Sequence, residues 1–297
     1  MGIDWLIAVP AAVGAAACFG IAGVLQHRAT HRTKQRRPLS PWLLVDLIGM
    51  RVFRSGVLLG VLGFVLQVLA LRYGTLILVQ PILVTGVLFY LIVASALDHR
   101  PPDRVLLGGA LMALAGLSAF LVVANPSSGA DSLQSSAAIP LGLSLVAVVA
   151  LCLLAASRMP HQLRSLPLAA ATAVCYGATA GLVRSLTSAS LGWGIFSHWE
   201  LYAIAVLGPV GFLLNQDAYQ SGMLGSVALT MITVGDPIVA IVIGITWLGE
   251  SIATGWLVAG EVLALAVMAG GILILAHRAQ HLAERMKAAG ARPAEAQ

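Results

Sequence analysis

The chain reads as an all-α polytopic membrane protein, and three observations predict it. Of its 297 residues 59% are apolar and only 10% charged, where a soluble domain carries about 25% charged residues. Nine apolar stretches reach the length of about 18 residues or more that a helix needs to cross a bilayer. Fifteen of the 17 Lys and Arg residues fall in the gaps on one side of those stretches, the bias of a cytoplasmic face.

The expected spans lie near 5–26, 53–72, 75–97, 105–124, 138–157, 167–187, 199–219, 224–248 and 254–276. The first is not read as a signal peptide, because Asp4 precedes it and no Lys or Arg does. Nine spans put the two termini on opposite sides. With the N-terminus outside, Arg28, Arg32, Lys34, Arg36 and Arg37 face the cytoplasm, as do Arg100, Arg104, Arg158, Arg164 and the basic C-terminal tail; only Arg72 and Arg184 fall outside. The expected location is the cytoplasmic (plasma) membrane. The net charge of +5 sits beside apolar spans and suits a membrane face, not nucleic acid. "NPSSGADSLQSSAA", Asn125 to Ala138, carries no Lys or Arg and reads as an external linker. "PWLLVDLIGM", Pro41 to Met50, is too short to span and reads as a short helix on the membrane surface.

Two stretches recur. "CFGIAGVL" at Cys18 resembles "CYGATAGL" at Cys175, and "GFVLQVLALRYG" at Gly63 resembles "GFLLNQDAYQSG" at Gly211. Span 1 thus matches span 6 and span 2 matches span 7, so spans 3 and 4 pair by position with 8 and 9. The single span 5 between the copies flips the second one. The expected organisation is a first four-helix repeat (5–124), a linker and connecting helix (125–166), an inverted four-helix repeat (167–276) and a basic cytoplasmic tail (277–297). Secondary transporters are often built this way, with a site at the repeat interface near the midplane.

With "LVQPILVTGVLFYLIVASALD" in span 3 and "GDPIVAIVIGITWLGES" in span 8, this organisation resembles the drug/metabolite transporter (DMT) superfamily, whose EamA-like members carry a Pro in the fourth helix of each unit and then a Gly-Glu turn. Gly249-Glu250 fits that turn; Leu97-Asp98 is a degraded version. The nine-span count, "ILVQP" from Ile77, "FLLNQDAY" from Phe212 and the basic loop after span 1 are similar to the NIPA-like branch. That similarity implies magnesium transport. Many DMT proteins have ten helices, so a ten-helix variant stays open. Aligning Gly74 with Gly225 puts Pro81 opposite Ile232, which leaves Pro81 and Pro237 out of register.

Polar groups inside the spans mark the candidate site. Asp236-Pro237 stands out, since an Asp at mid-membrane costs about 2.5–3.5 kcal/mol on insertion scales. The Pro also removes the donor that would meet the Thr233 carbonyl, so carboxylate and carbonyl could both meet a cation or a proton. The other reading is a tight helix contact with Asp236 hydrogen-bonded. Ser226, Thr230, Thr233, Pro237, Ala240 and Gly244 give one face of span 8 a small, partly polar character. Asn215 aligns with Gln67 at mirrored depth, and Asp217 lies near a span end. Glu261 sits about two turns into span 9, on the half that also holds Arg184. Pro81 gives span 3 its own break, next to Gln80.

His27 and His31, and His277 and His281, have i, i+4 spacing, but both pairs lie among Arg residues that repel a metal, so no metal site is expected. Cys18, Cys152 and Cys175 read as packing residues. No Ser-His-Asp order, Gly-rich phosphate loop or CxxC appears, so neither an enzyme nor a cofactor is expected. The sequence reading is a transporter of a small polar solute or organic cation, driven by protons through Asp236 or Glu261, with lipid and a small-molecule or cation substrate as partners and a homodimer compatible. Its alternatives are magnesium or divalent-cation transport, and a non-transporting structural subunit.

Overall fold

The computed structural model describes residues 4–30, 46–97, 104–124, 135–159, 164–189, 193–220, 225–250 and 257–291. Among the described residues these α-helices follow one another: α1 (Trp5–Thr30), α2 (Arg51–Tyr73), α3 (Leu76–Val84), α4 (Gly86–Leu97), α5 (Arg104–Ala124), α6 (Ser135–Arg158), α7 (Ser165–Ala189), α8 (Trp199–Gln220), α9 (Gly225–Thr246) and α10 (Leu257–Ala291), with a short 3-10 turn, Trp193–Ser197, before α8. Among the described residues seven segments are long and apolar enough to cross a membrane, with α3 and α4 counted as one; shorter apolar stretches, Leu111–Phe120 and Gly235–Thr246, lie within α5 and α9. The chain is therefore a polytopic α-helical membrane protein. No strand occurs among the described residues.

Lipid, rather than propensity, explains why every long element is a helix. Only a helix satisfies its own backbone where no water reaches. The outward faces are accordingly apolar: Leu58, Val61 and Val65 on α2, and Leu143, Val146 and Leu151 on α6, are all exposed. Of the segments long enough to span, that in α6 is the least covered by the rest of the protein.

Hydrogen bonds fix the direction of each helix. The Asp4 N–H donates to the Tyr73 carbonyl at 3.0 Å, so α1 begins where α2 ends. We call this the amino face. Near it Arg184, late in α7, reaches the Leu71 carbonyl, and Glu250, just past α9, reaches the start of α3. At the opposite face Gln216, late in α8, bonds to Gln26, late in α1. Hence α1 and α7 run in opposite directions, as do α2 and α8, and α3–α4 and α9.

The main core holds Ala8, Ala12, Leu71, Leu76 and Val79 from the first half and Ala178, Leu182, Ala240 and Ile243 from the second. A second cluster joins Leu168, Cys175, Leu214 and Ala218 to α6 through Ala156. Small residues dominate these contacts because helices in lipid gain from close backbone approach, not from expelling water.

Two expectations need correction. Span 3 is one apolar segment, Leu76–Leu97, but its irregularity is not at Pro81: the turn at Thr85, whose N–H and hydroxyl both donate to the Ile82 carbonyl, separates α3 from α4 and falls four residues later. Span 8 shows the converse, since α9 runs unbroken from Gly225 through Pro237 to Thr246. The helix does not open at Thr233. The expected tail, from 277, continues helical to Ala291, beyond an apolar span that runs Leu257–Ile274. Residues 31–45, most of the 125–138 linker, and the first half of the Pro41–Met50 segment lie outside the described residues. In the rest of that segment Leu47 is fully buried against Ala29 and Phe53.

Candidate functional site

Asp236 sits mid-way along α9 and is half-buried; its Oδ1 is shielded and has no hydrogen-bond partner among the described residues. Around it α9 turns Pro237, Ala240 and Gly244 inward and leaves Ile238, Val242 and Ile245 exposed. The small face predicted for this helix thus points into the bundle. The side chains of Ser226, Thr230 and Thr233 lie outside the described residues.

The neighbour beneath Asp236 is α7. A β-carbon on Gly177 would lie 2.7 Å from both the Asp236 carbonyl oxygen and the Val239 β-carbon. In the other half α1 meets α4 in the same manner: a β-carbon on Gly20 would strike the Gly86 carbonyl oxygen and lie 2.9 Å from the Phe89 β-carbon. The correspondence pairs Gly20 with Gly177, Gly86 with Asp236 and Phe89 with Val239. A further pair agrees: Gly63 of α2 lies against Phe19 and Cys18, and Gly211 of α8 against Tyr176 and Cys175. This contact register places Pro81 opposite Met231, one residue from the alignment on Gly74. Short apolar stretches resemble each other at several offsets, whereas backbone contact admits one. Asp236 thus lies against Gly177 as Gly86, directly after the turn at Thr85, lies against Gly20.

The remaining predicted residues are dispersed along the helices. Asn215, Asp217 and Glu261 are all buried, as are Pro81 and Pro237, and Gln67 is half-buried. Asn215 Oδ1 has no hydrogen-bond partner among the described residues. Gln67 follows Gly63 by four residues as Asn215 follows Gly211, so the mirrored depth of the two amides agrees with the glycine contacts. Asp217, expected near water, is only 4% exposed. A crevice between α3, α4, α5 and α10 is lined by Pro81, Thr85, Leu88, Ala113, Leu117 and Met268, and is apolar; Asp236, Asn215 and Glu261 do not line it. Beside it both amide atoms of Gln80 are shielded without a partner among the described residues.

Two polar clusters escape a sequence reading. At the amino face Glu250 accepts from the Leu76 N–H at 2.9 Å and the Ile77 N–H at 3.1 Å, and Arg184 Nε lies 3.6 Å from its carboxylate. Arg184 Nη1 donates to the Leu71 carbonyl at 2.8 Å. The sequence places Arg184 only on the same half as Glu261. Burial pushes the Glu250 carboxyl above the usual carboxylate range, and the two N–H groups and Arg184 pull it back down. At the opposite face Gln216 Nε2 donates to Gln26 Oε1 at 3.0 Å, and the Thr30 hydroxyl donates to Gln216 Oε1 at 3.1 Å. The Gly-Glu turn was visible in the sequence, but its target is 174 residues away.

Of the expected histidine pairs, His27 lies edge-on to Tyr90 with ring centroids 6.4 Å apart and His277 is exposed; His31 and the His281 side chain lie outside the described residues. No group of three His, Cys, Asp or Glu side chains is arranged to hold a metal among the described residues.

No family model matches the chain, and no solved structure does. The chain is similar to an uncharacterized protein of Corynebacterium glutamicum, with 26% identity over 248 residues, which cover 82% of this chain and 86% of that protein.

Proposed function

We propose that the protein is a membrane transporter of DMT type, built from two inverted four-helix repeats joined by α6, and that it moves a small polar solute or organic cation against a proton gradient. The observation that carries this reading is the matched pair of glycine contacts, Gly20 beneath Gly86 and Gly177 beneath Asp236. They belong to helix pairs of opposite direction, the relation expected of inverted repeats. The first contact adjoins the irregular turn at Thr85, and the second carries an acid. A helix irregularity and a shielded carboxylate within a span are parts from which transporters make a midplane site. The Lys and Arg bias supports the amino face as the external one. On this reading Asp236 binds the cationic or hydrogen-bonding part of the solute and exchanges it for a proton; Asn215 and Glu261 are the further polar groups of the pathway.

The test is flux in proteoliposomes. An imposed pH gradient should drive uptake of an organic cation or polar solute. Asp236→Asn should lower it at least about tenfold, the equivalent of about 1.4 kcal/mol, in protein that remains folded and monodisperse. Magnesium flux abolished by Asp236→Asn would instead assign a divalent-cation pathway, in which the ion keeps much of its water and needs few protein oxygens. Folded protein that moves neither would be a structural subunit.

A further inference from the structure

We propose that Glu250 and Arg184 form a gate that closes the amino-face mouth of the bundle. The proposal rests on the transport reading, but its test does not need a transported solute.

The local fold delivers the carboxylate. After α9 ends, Gly249 takes φ 62°, a left-handed conformation that favours glycine. The chain folds back, and the Glu250 N–H donates to the Gly244 carbonyl at 2.9 Å. Gly244 leaves room for the acid: a β-carbon there would lie 2.8 Å from Glu250 Oε2. The carboxylate therefore points across to the first half and caps α3 at Leu76 and Ile77. A negative charge at a helix N-terminus is favourable, and so is a cation at a C-terminus. Arg184 supplies the second, bonded to the Leu71 carbonyl near the end of α2 while it faces Glu250. The second half thus grips both helix ends that flank the Gly74–Thr75 turn of the first.

Two features suit this contact to opening. Its polar bonds join the two halves, and both side chains are nearly fully buried, with Arg184 6% and Glu250 3% exposed. The attraction within a buried ion pair roughly balances the loss of hydration. If the mouth opens to water, both charges and both helix ends regain hydration, so the open state is not strongly penalised. The seal below the pair is a seam of small and aliphatic residues, Val79 and Ile82 against Ala178 and Ala240. At the opposite face the halves are joined by neutral groups, Thr30 and Gln26 with Gln216, so the two mouths are held by different chemistry.

The test reads accessibility. In a background with Cys18, Cys152 and Cys175 replaced, Ala240→Cys puts a reporter thiol beneath the pair. In the otherwise native protein a membrane-impermeant maleimide should label it slowly. Glu250→Gln, or Arg184→Met if the first fails to fold, should raise the labelling rate several-fold, while a Leu214→Cys reporter at the far face is labelled no faster. Leu76→Cys with Gly244→Cys offers the converse, since their β-carbons would lie 3.4 Å apart, close to disulfide spacing. Oxidation should suppress labelling at residue 240 itself, read by peptide mass apart from the thiols at 76 and 244, and reduction should restore it. Unchanged labelling in folded Glu250→Gln and Arg184→Met proteins would overturn the gate and make the pair a permanent clamp. So would full transport through the oxidised protein. Labelling that responds while no solute or ion moves would keep the gate and sink the transport reading.

Discussion

Gly177 lies directly beneath Asp236: a β-carbon on the glycine would be 2.7 Å from the aspartate's carbonyl oxygen. The acid is carried on a stretch of α9 whose backbone packs closely on α7. Its backbone is held by α7, while Oδ1 lies shielded with no partner among the described residues.

Gly177→Ala should therefore destabilise the protein by about 1–3 kcal/mol, the usual cost of forcing a methyl into a packed contact. Gly20→Ala should do the same in the first half, where the obstacle is again a backbone oxygen. Gly142→Ala is the control. A β-carbon at 142 meets nothing within 4 Å, and Ala is the better helix former by about 1 kcal/mol. Thermal unfolding in detergent, followed by loss of the monodisperse peak, should rank Gly142→Ala at or above the native protein and both contact variants below it.

Gln26 and Gln216 should be coupled. Hydrogen bonds between membrane helices average about 0.6 kcal/mol and seldom exceed about 1.7. Gln216→Leu and Gln26→Leu should each cost stability, and the double variant should cost less than their sum by about 1 kcal/mol, because each single change strands the other amide. A double-mutant cycle on thermal or denaturant unfolding measures it; strict additivity would mean that the 3.0 Å bond contributes nothing.

Gly249 should tolerate substitution in a defined order. At φ 62° an ordinary residue pays about 1–2 kcal/mol, Asn less, and a β-branched residue most. Stability should fall from Gly to Asn to Ala to Val at this position. Because Glu250 follows directly, the same order should appear in the labelling rate of the Ala240→Cys reporter.

The helices were legible in the sequence because lipid leaves the backbone little choice. Apolar runs of sufficient length marked α1, α2 and α5 to α10 to within a few residues at most ends. The exceptions are instructive. The break at Thr85 carries no glycine or proline of its own before Gly86, and Pro81 points to a place one turn away. Pro237, the stronger signal, removes a donor yet leaves α9 helical through to Thr246. The inward small face of α9 was legible from its spacing. The pairing of Arg184 with Glu250 was not, because a choice between two acids depends on how α7 and α9 cross. Gln26 gave no signal at all: an amide near the end of an apolar run is ordinary until its partner, 190 residues on, folds beside it.

The sparse packing of α6 bears on how the protein is made. Residues Ile139, Leu143, Val146, Leu151 and Leu154 present a broad greasy flank that touches little of the rest. The pairing of α5 with α10, Gly116 against Met268 and Gly271 against Ala113, forms only once both sides of the chain are made. Severing the polypeptide after Arg158 and co-expressing the two fragments should still yield an assembled protein, since what joins them are this pairing and the seams around Val79 and Gln216 and not the cord between.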